Sequence, residues 1–203
     1  MSYGRAPRRR FTLLAAPAAA VALALTLTAC GGDGNKAGGG GNTNFVTGSG
    51  GISTVDKGDR KAAPTLNGET LDGKQLDVAD YKGKVVVLNM WGSWCGPCRL
   101  EAQYFSRVAR EMKGKDIQFV GINTRDAQKG PAVSFEKDYG VPYPSLFDPT
   151  GKLMLRFPKG TLRPQAIPST VVLDRDGKIA ARSLAALDSD QLHKMIDPLM
   201  AEK

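Results

Sequence analysis

Histidine and cysteine are scarce in this 203-residue chain, which holds one histidine, His193, and three cysteines, Cys30, Cys95 and Cys98. A structural zinc centre takes four nitrogen or sulfur ligands, so Cys95 and Cys98 could draw only on Cys30 and His193 to complete one. Cys30 has another fate, set out below, and His193 falls among apolar helix neighbours, the setting of a packing or surface residue. Cysteines are also too few for a framework of structural disulfides. A bridge across the two-residue gap between Cys95 and Cys98 constrains the unfolded chain very little. Aromatic residues make up 7 % of the chain, and no aromatic-rich basic stripe exists, which disfavours nucleic acid as a partner. No internal repeat is visible.

The excess of positive charge is smaller than it first looks. The formal net charge is +8, but Arg5, Arg8, Arg9 and Arg10 precede a charge-free apolar run from Phe11 to Ala29. Without those four arginines the chain carries 24 basic against 20 acidic residues, a mild excess that suits an anionic membrane surface and acidic clients. Basic head, apolar body and small closing residues are the parts of a secretory signal. Leu27-Thr28-Ala29-Cys30 resembles the bacterial lipobox, in which the cysteine is lipidated and becomes the first residue of the mature protein. The alternative is an uncleaved membrane helix, which Pro17 and the many alanines weaken. Arg8-Arg9-Arg10-Phe11 also resembles a degenerate twin-arginine export signal. Each reading places the downstream domain outside the cytoplasm and tethered to a membrane.

Residues 31–62 hold eleven glycines. Such a composition buries little apolar surface against its ordering entropy, so residues 30–62 are expected to form a disordered tether with an end-to-end distance of about 30 Å. The organisation expected is therefore a signal over 1–29, a lipidated Cys30 with its tether, and one domain over 63–203. That length is ample for a core without structural disulfides.

The densest chemical signal is Trp94-Cys95-Gly96-Pro97-Cys98. Upstream, Val85 to Trp91 is rich in β-branched and aliphatic residues and reads as a buried strand. Downstream, Ala102, Phe105, Val108, Ala109 and Met112 recur at helical spacing. Cys95 thus stands where a helix begins, and free N–H groups with the positive end of the helix dipole favour a thiolate there. This is the chemistry of thiol–disulfide exchange, with Cys95 as a partly exposed nucleophile and Cys98 as the more buried resolving thiol.

The remaining elements follow from periodicity and turn residues. Pro64–Leu71 and Lys74–Asp77 form a hairpin through Asp72-Gly73. Ile117–Asn123 is a strand, Pro131–Tyr139 a short helix closed by Gly140, and Leu153–Phe157 one helical turn or an extended piece. Ser169–Asp174 and Lys178–Arg182 flank the Arg175-Asp176-Gly177 turn, and Ser189–Met200 closes the chain with Leu192, Met195, Ile196 and Leu199 on one face. The order β-β-β-α-β-α-β-β-α implies an α/β, thioredoxin-like fold: a central mixed β-sheet flanked by helices on both faces.

With those elements placed, the chain from Ala63 onward resembles membrane-tethered thioredoxin-like reductases of the TlpA/ResA type. The resemblance is carried by the opening hairpin, by Asn89-Met90-Trp91-Gly92-Ser93-Trp94-Cys95-Gly96-Pro97-Cys98-Arg99, and by Ile167-Pro168-Ser169-Thr170-Val171-Val172-Leu173-Asp174. Asn123–Tyr143 looks like the central strand–helix insert of that family. The resemblance implies a cis Pro168 against the dithiol, with Ile167 presenting backbone to an extended substrate, and Trp94 giving that substrate an apolar surface. Trp91 belongs to the core, and Pro97 stiffens the redox turn and tunes its potential.

Cys98 needs a proton acceptor. Many thioredoxins carry an aspartate six positions before the first cysteine, where this chain has Asn89, which cannot accept a proton. Relatives with the insert use an acidic side chain after the next strand, which points to Asp126. Glu101, one turn beyond Cys98, is the second candidate.

The resemblance further implies an extracytoplasmic reductase fed by a membrane thiol electron carrier, acting on protein disulfides such as apocytochrome c cysteine pairs. It needs no metal and no cofactor beyond the Cys95–Cys98 disulfide. A disulfide oxidase or isomerase, a thiol peroxidase, and a copper- or haem-handling lipoprotein are the competing readings. The peroxidase is disfavoured because such enzymes place Thr-x-x-Cys at this helix start.

Overall fold

The computed structural model describes residues 1, 4 and 44–202. The expected signal and the lipidation site Cys30 lie outside these residues, as does most of the tether. In chain order the elements are β1 Val46–Thr47, β2 Ile52–Thr54, β3 Asn67–Glu69, β4 Gln75–Asp77, β5 Val85–Trp91, α1 Gly96–Glu111, β6 Ile117–Thr124, α2 Lys129–Asp138, β7 Ser145–Asp148, α3 Lys152–Leu155, β8 Ser169–Leu173, β9 Ile179–Ser183 and α4 Ser189–Ala201. Seven strands form one sheet in the order β1-β2-β9-β8-β5-β6-β7, and β3 and β4 form a separate hairpin. The β5–β6 and β6–β7 pairs are parallel and the others antiparallel, so the sheet is mixed, as expected.

Strand β5 lies inside the sheet between β8 and β6, and all seven of its residues are buried. A strand covered on both faces loses the alternation of polar and apolar residues, which is why Val85–Trp91 is a continuous run. Val85 and Val87 face a cluster with Phe105 and Val108 of α1 and Leu192, Met195, Ile196 and Leu199 of α4. Val86, Leu88 and Met90 face the opposite cluster, with Leu66, Leu146, Met154 and Val171. The expected apolar face of α4 is thus buried in full, and the helix starts at a capping box between Asp188 and Gln191.

Two segments differ from the sequence reading. Residues 44–62, taken as part of a disordered tether, are packed onto the domain. Here β2 adds to the sheet edge at Ile52↔Ser183, and Ile52, Phe45 and Val55 are buried. Arg60 clamps the segment by donating to Asp174 at 3.1 Å and to Glu202 at 2.6 and 2.7 Å. A few well-placed apolar residues and one paired arginine outweigh the glycine content there, and the composition average hides them. The second difference is β7, an edge strand following Pro142 and Pro144, which pairs with β6 from Gly121↔Ser145 to Thr124↔Asp148. The central insert therefore runs helix then strand, α2 followed by β7.

Candidate active site

Cys95 and Cys98 are joined as a disulfide with an S–S distance of 2.07 Å. Cys95 is the N-cap of α1, and its sulfur accepts from the Cys98 N–H at 3.2 Å. Pro97 sits in the first turn, where its missing N–H costs nothing. The sulfur that caps the helix is the one best placed to carry negative charge once the bond is reduced. Cys95 was expected to be partly exposed. It is 4 % exposed against 1 % for Cys98, because Leu71, Trp91, Ala102, Ala132 and Phe135 enclose the pair. Phe135 of α2 stacks on Trp91 with ring centroids 4.4 Å apart, so the insert helix supplies one wall of the dithiol's surroundings.

The loop before β8 supplies another. The Ile167–Pro168 peptide is cis, and the Ile167 carbonyl oxygen lies 3.7 Å from Cys95 Sγ. Trp94 is half exposed. Its indole folds back over the chain so closely that a Cβ on Gly92 would meet Trp94 Nε1 at 2.8 Å and the Thr124 carbonyl at 3.2 Å. A side chain at position 92 would have to displace the indole and press on the Thr124 carbonyl, so glycine suits the close approach. A groove of about 560 Å³ borders this turn, lined by Trp94, Arg99, Pro131, Phe135 and Tyr139 among others.

The two acidic candidates occupy different environments. Asp126 is buried and accepts from Ser93 N–H at 2.9 Å, Ser93 Oγ at 2.5 Å and Asn123 Nδ2 at 2.6 Å. It fixes the turn leading into Trp94-Cys95. The neighbouring Arg125 guanidinium lies over the Trp94 ring instead. Glu101 is also buried, on α1 one helical turn beyond Cys98. It accepts from Asn89 Nδ2 at 2.8 Å and from the Leu187 N–H at 3.1 Å. Burial pushes its carboxyl up to about 8, against the opposing pull of those two hydrogen bonds. Asn89 cannot take a proton, but it serves the group that can.

Ser93, Asn123 and the Leu187 N–H were not singled out from sequence. The sequence signals for this arrangement are Asn89 and Glu101, which meet through a hydrogen bond between β5 and α1. His193 lies between Asp197 and Glu111 at 3.2 and 3.4 Å, bridging α4 and α1 on the surface. Among the described residues no cluster of three or more His, Cys, Asp or Glu side chains is placed to hold a metal ion, and no helix is long and apolar enough to cross a membrane.

Known proteins are similar to this chain in sequence and fold. The Redoxin family model matches residues 57–196. The thiol-disulfide oxidoreductase ResA of Bacillus cereus is 30 % identical over 132 residues, covering 65 % of this chain and 73 % of that protein. The thiol:disulfide interchange protein DsbE of Vibrio cholerae is 32 % identical over 142 residues, covering 68 % of this chain and 72 % of its own length. Among solved structures, a DsbF homologue from Corynebacterium diphtheriae superposes with a TM-score of 0.69 at 38 % identity, over 78 % of this chain and 100 % of that one. A secreted thiol-disulfide isomerase from Corynebacterium glutamicum gives 0.70 at 32 % identity, over 78 % and 98 %. With the family model spanning most of the chain and a Cys-x-x-Cys pair capping α1, this protein belongs to the Redoxin family and is a thioredoxin-fold thiol–disulfide oxidoreductase.

Proposed function

We propose that the protein reduces protein disulfides outside the cytoplasm, held at the membrane through a lipidated Cys30. Its electrons come from a membrane thiol carrier, and a cysteine pair in an apocytochrome c is one such client. The reading is supported by the thiol-disulfide oxidoreductase and interchange relatives, and by the signal and lipobox-like residues at the amino end.

The chemistry falls to three residues. The reduced Cys95 thiolate attacks a client sulfur, so a Cys95–client bond forms, the client S–S bond breaks, and the other client sulfur leaves as a thiolate. The Cys98 thiol then gives its proton to Glu101 in its ionised form, whose share grows as pH rises toward 8, and attacks Cys95 Sγ. The second client thiolate departs and the Cys95–Cys98 disulfide remains. Two electrons have passed to the client, and the thiol carrier restores them.

The observation that carries the reading is the Cys95–Cys98 pair at the start of α1, with the Glu101 carboxyl, its pKa raised by burial to about 8, one turn beyond the resolving cysteine. A thiol of ordinary pKa near 8.5 exchanges a proton with such a group at little cost. Asp126 is assigned a positioning role, acting on Cys95 through Ser93. Trapping tests the scheme. Cys98→Ser should accumulate a mixed disulfide between Cys95 and a disulfide-bearing client, and Cys95→Ser should accumulate none. A trapped adduct on Cys98 instead would overturn the assignment of nucleophile.

A further inference from the structure

Arg125 stands out beside the dithiol because its charge has no carboxylate counterpart among the described residues. Strand β6 ends at Thr124, and Arg125 adopts φ +60°, a left-handed conformation shared among described non-glycine residues only with Asn44. An arginine held there costs on the order of 1 kcal/mol or more, so the surrounding structure enforces it. Its N–H donates to the Asp148 carbonyl at 3.1 Å, and the turn sends its side chain away from Asp126.

The guanidinium lies over the Trp94 indole, 5.0 Å from the ring centroid. Stacking uses only the face of a guanidinium, so its in-plane N–H donors remain available. Both terminal nitrogens reach the same Gln165 carbonyl oxygen at a long 3.4 Å and are exposed, while Nε is buried without a partner. A carboxylate would offer two oxygens to that fork at about 2.8 Å. No carboxylate among the described residues pairs with it. Asp126 is turned to Ser93 and Asn123. Gln165 also stands two residues before Ile167, whose carbonyl oxygen lies against Cys95 Sγ. Arg125 therefore bridges Trp94 and the loop carrying Ile167-Pro168, the two segments that flank the dithiol.

We propose that Arg125 is a specificity-determining residue that receives a client carboxylate, an Asp or Glu side chain beside the cysteine under attack. The apolar stem of that side chain lies along Trp94. This assignment rests on the reading of Cys95 as the attacking sulfur. It makes the client segment acidic next to its disulfide.

The test uses disulfide-linked peptides identical except for Glu, Gln or Lys beside the cysteine, with kcat/KM as the readout. The wild-type protein should prefer Glu over Gln about fivefold at low salt, with the preference shrinking at high salt. The ratio should fall to about one in Arg125→Gln and stay partly preserved in Arg125→Lys, and Arg125→Glu should prefer the Lys peptide. A wild-type ratio of one, or a Glu preference that survives Arg125→Gln, overturns the assignment while leaving the dithiol chemistry intact. Failure of the wild-type protein to reduce even the Gln peptide overturns the redox reading itself, and this inference with it.

Discussion

Replacing Glu101 by glutamine keeps the side-chain shape and removes a carboxyl that burial holds up to about 8, from an ordinary 4.5. Below pH 4.5 the folded and unfolded chains both keep the proton, and the group has no pH-dependent effect. From 4.5 to 8 the unfolded chain has released it and the folded chain has not. Rising pH therefore destabilises the fold by about 1.4 kcal/mol per unit, to a ceiling of about 5 kcal/mol across the window. Above 8 both forms are ionised and the loss stops growing. Glutamine does not titrate, so the difference in unfolding free energy should move in the variant's favour from pH 4.5 to 8 and then level off.

A constant offset opposes this gain. The glutamine NH₂ must face either Asn89 Nδ2 or the Leu187 N–H, leaving a buried donor unpaired at about 1–3 kcal/mol. The slope of the difference is thus the diagnostic quantity, read from urea unfolding of the oxidised proteins at intervals through the window. Parallel stability curves for the two proteins would refute the environment assigned to Glu101. In turnover, losing the acceptor for the Cys98 proton should slow client reduction about 10²-fold and remove an inflexion near pH 8.

Asp126→Asn leaves one of three buried donors, on Ser93 or Asn123, without an acceptor, and should lower stability by about 1–3 kcal/mol in chemical unfolding. It should slow client reduction without changing the shape of the pH–rate profile, and loss of the inflexion near pH 8 would return the proton-acceptor role to Asp126. His193 is partly buried, which favours its neutral form, but Asp197 and Glu111 outweigh this and raise its pKa above 6.5. The charged pair is fully present below pH 6.5 and fades as pH rises through the folded-state value. His193→Gln should therefore lower the melting temperature in acid and match the wild type in alkali; an equal penalty at both ends would contradict the ion pairing.

The sequence exposed the parts of the fold that are built from periodic apolar burial. Val85–Trp91 and the apolar face of Ser189–Ala201 were legible because each must cover a sheet face. Segments at the sheet edge were not. The arm around Ile52 carries a few anchoring apolar residues among glycines, and Ser145–Asp148 follows two prolines, so neither has a run long enough to show a period. At the site, the Cys-x-x-Cys turn and the Ile167-Pro168 loop were local in sequence and easily placed. The Asn89–Glu101–Leu187 arrangement joins a strand, a helix and the start of another helix. Sequence pointed to Asp126 and then to Glu101, but not to their partners, Ser93 and Asn123 for one and Asn89 and Leu187 for the other, because packing between separate elements sets them. Arg125 was equally hidden, since a left-handed turn decides whether it meets Asp126 or Trp94.

The reduction potential of the Cys95–Cys98 couple, measured by thiol trapping after equilibration in dithiol–disulfide buffers, tests the central claim most directly. A single reversible two-electron transition near the roughly −270 mV of thioredoxin is expected for a dedicated reductase. A value close to the roughly −120 mV of a strong disulfide oxidant would contradict the direction of electron flow, and the absence of any such transition would contradict the redox function itself.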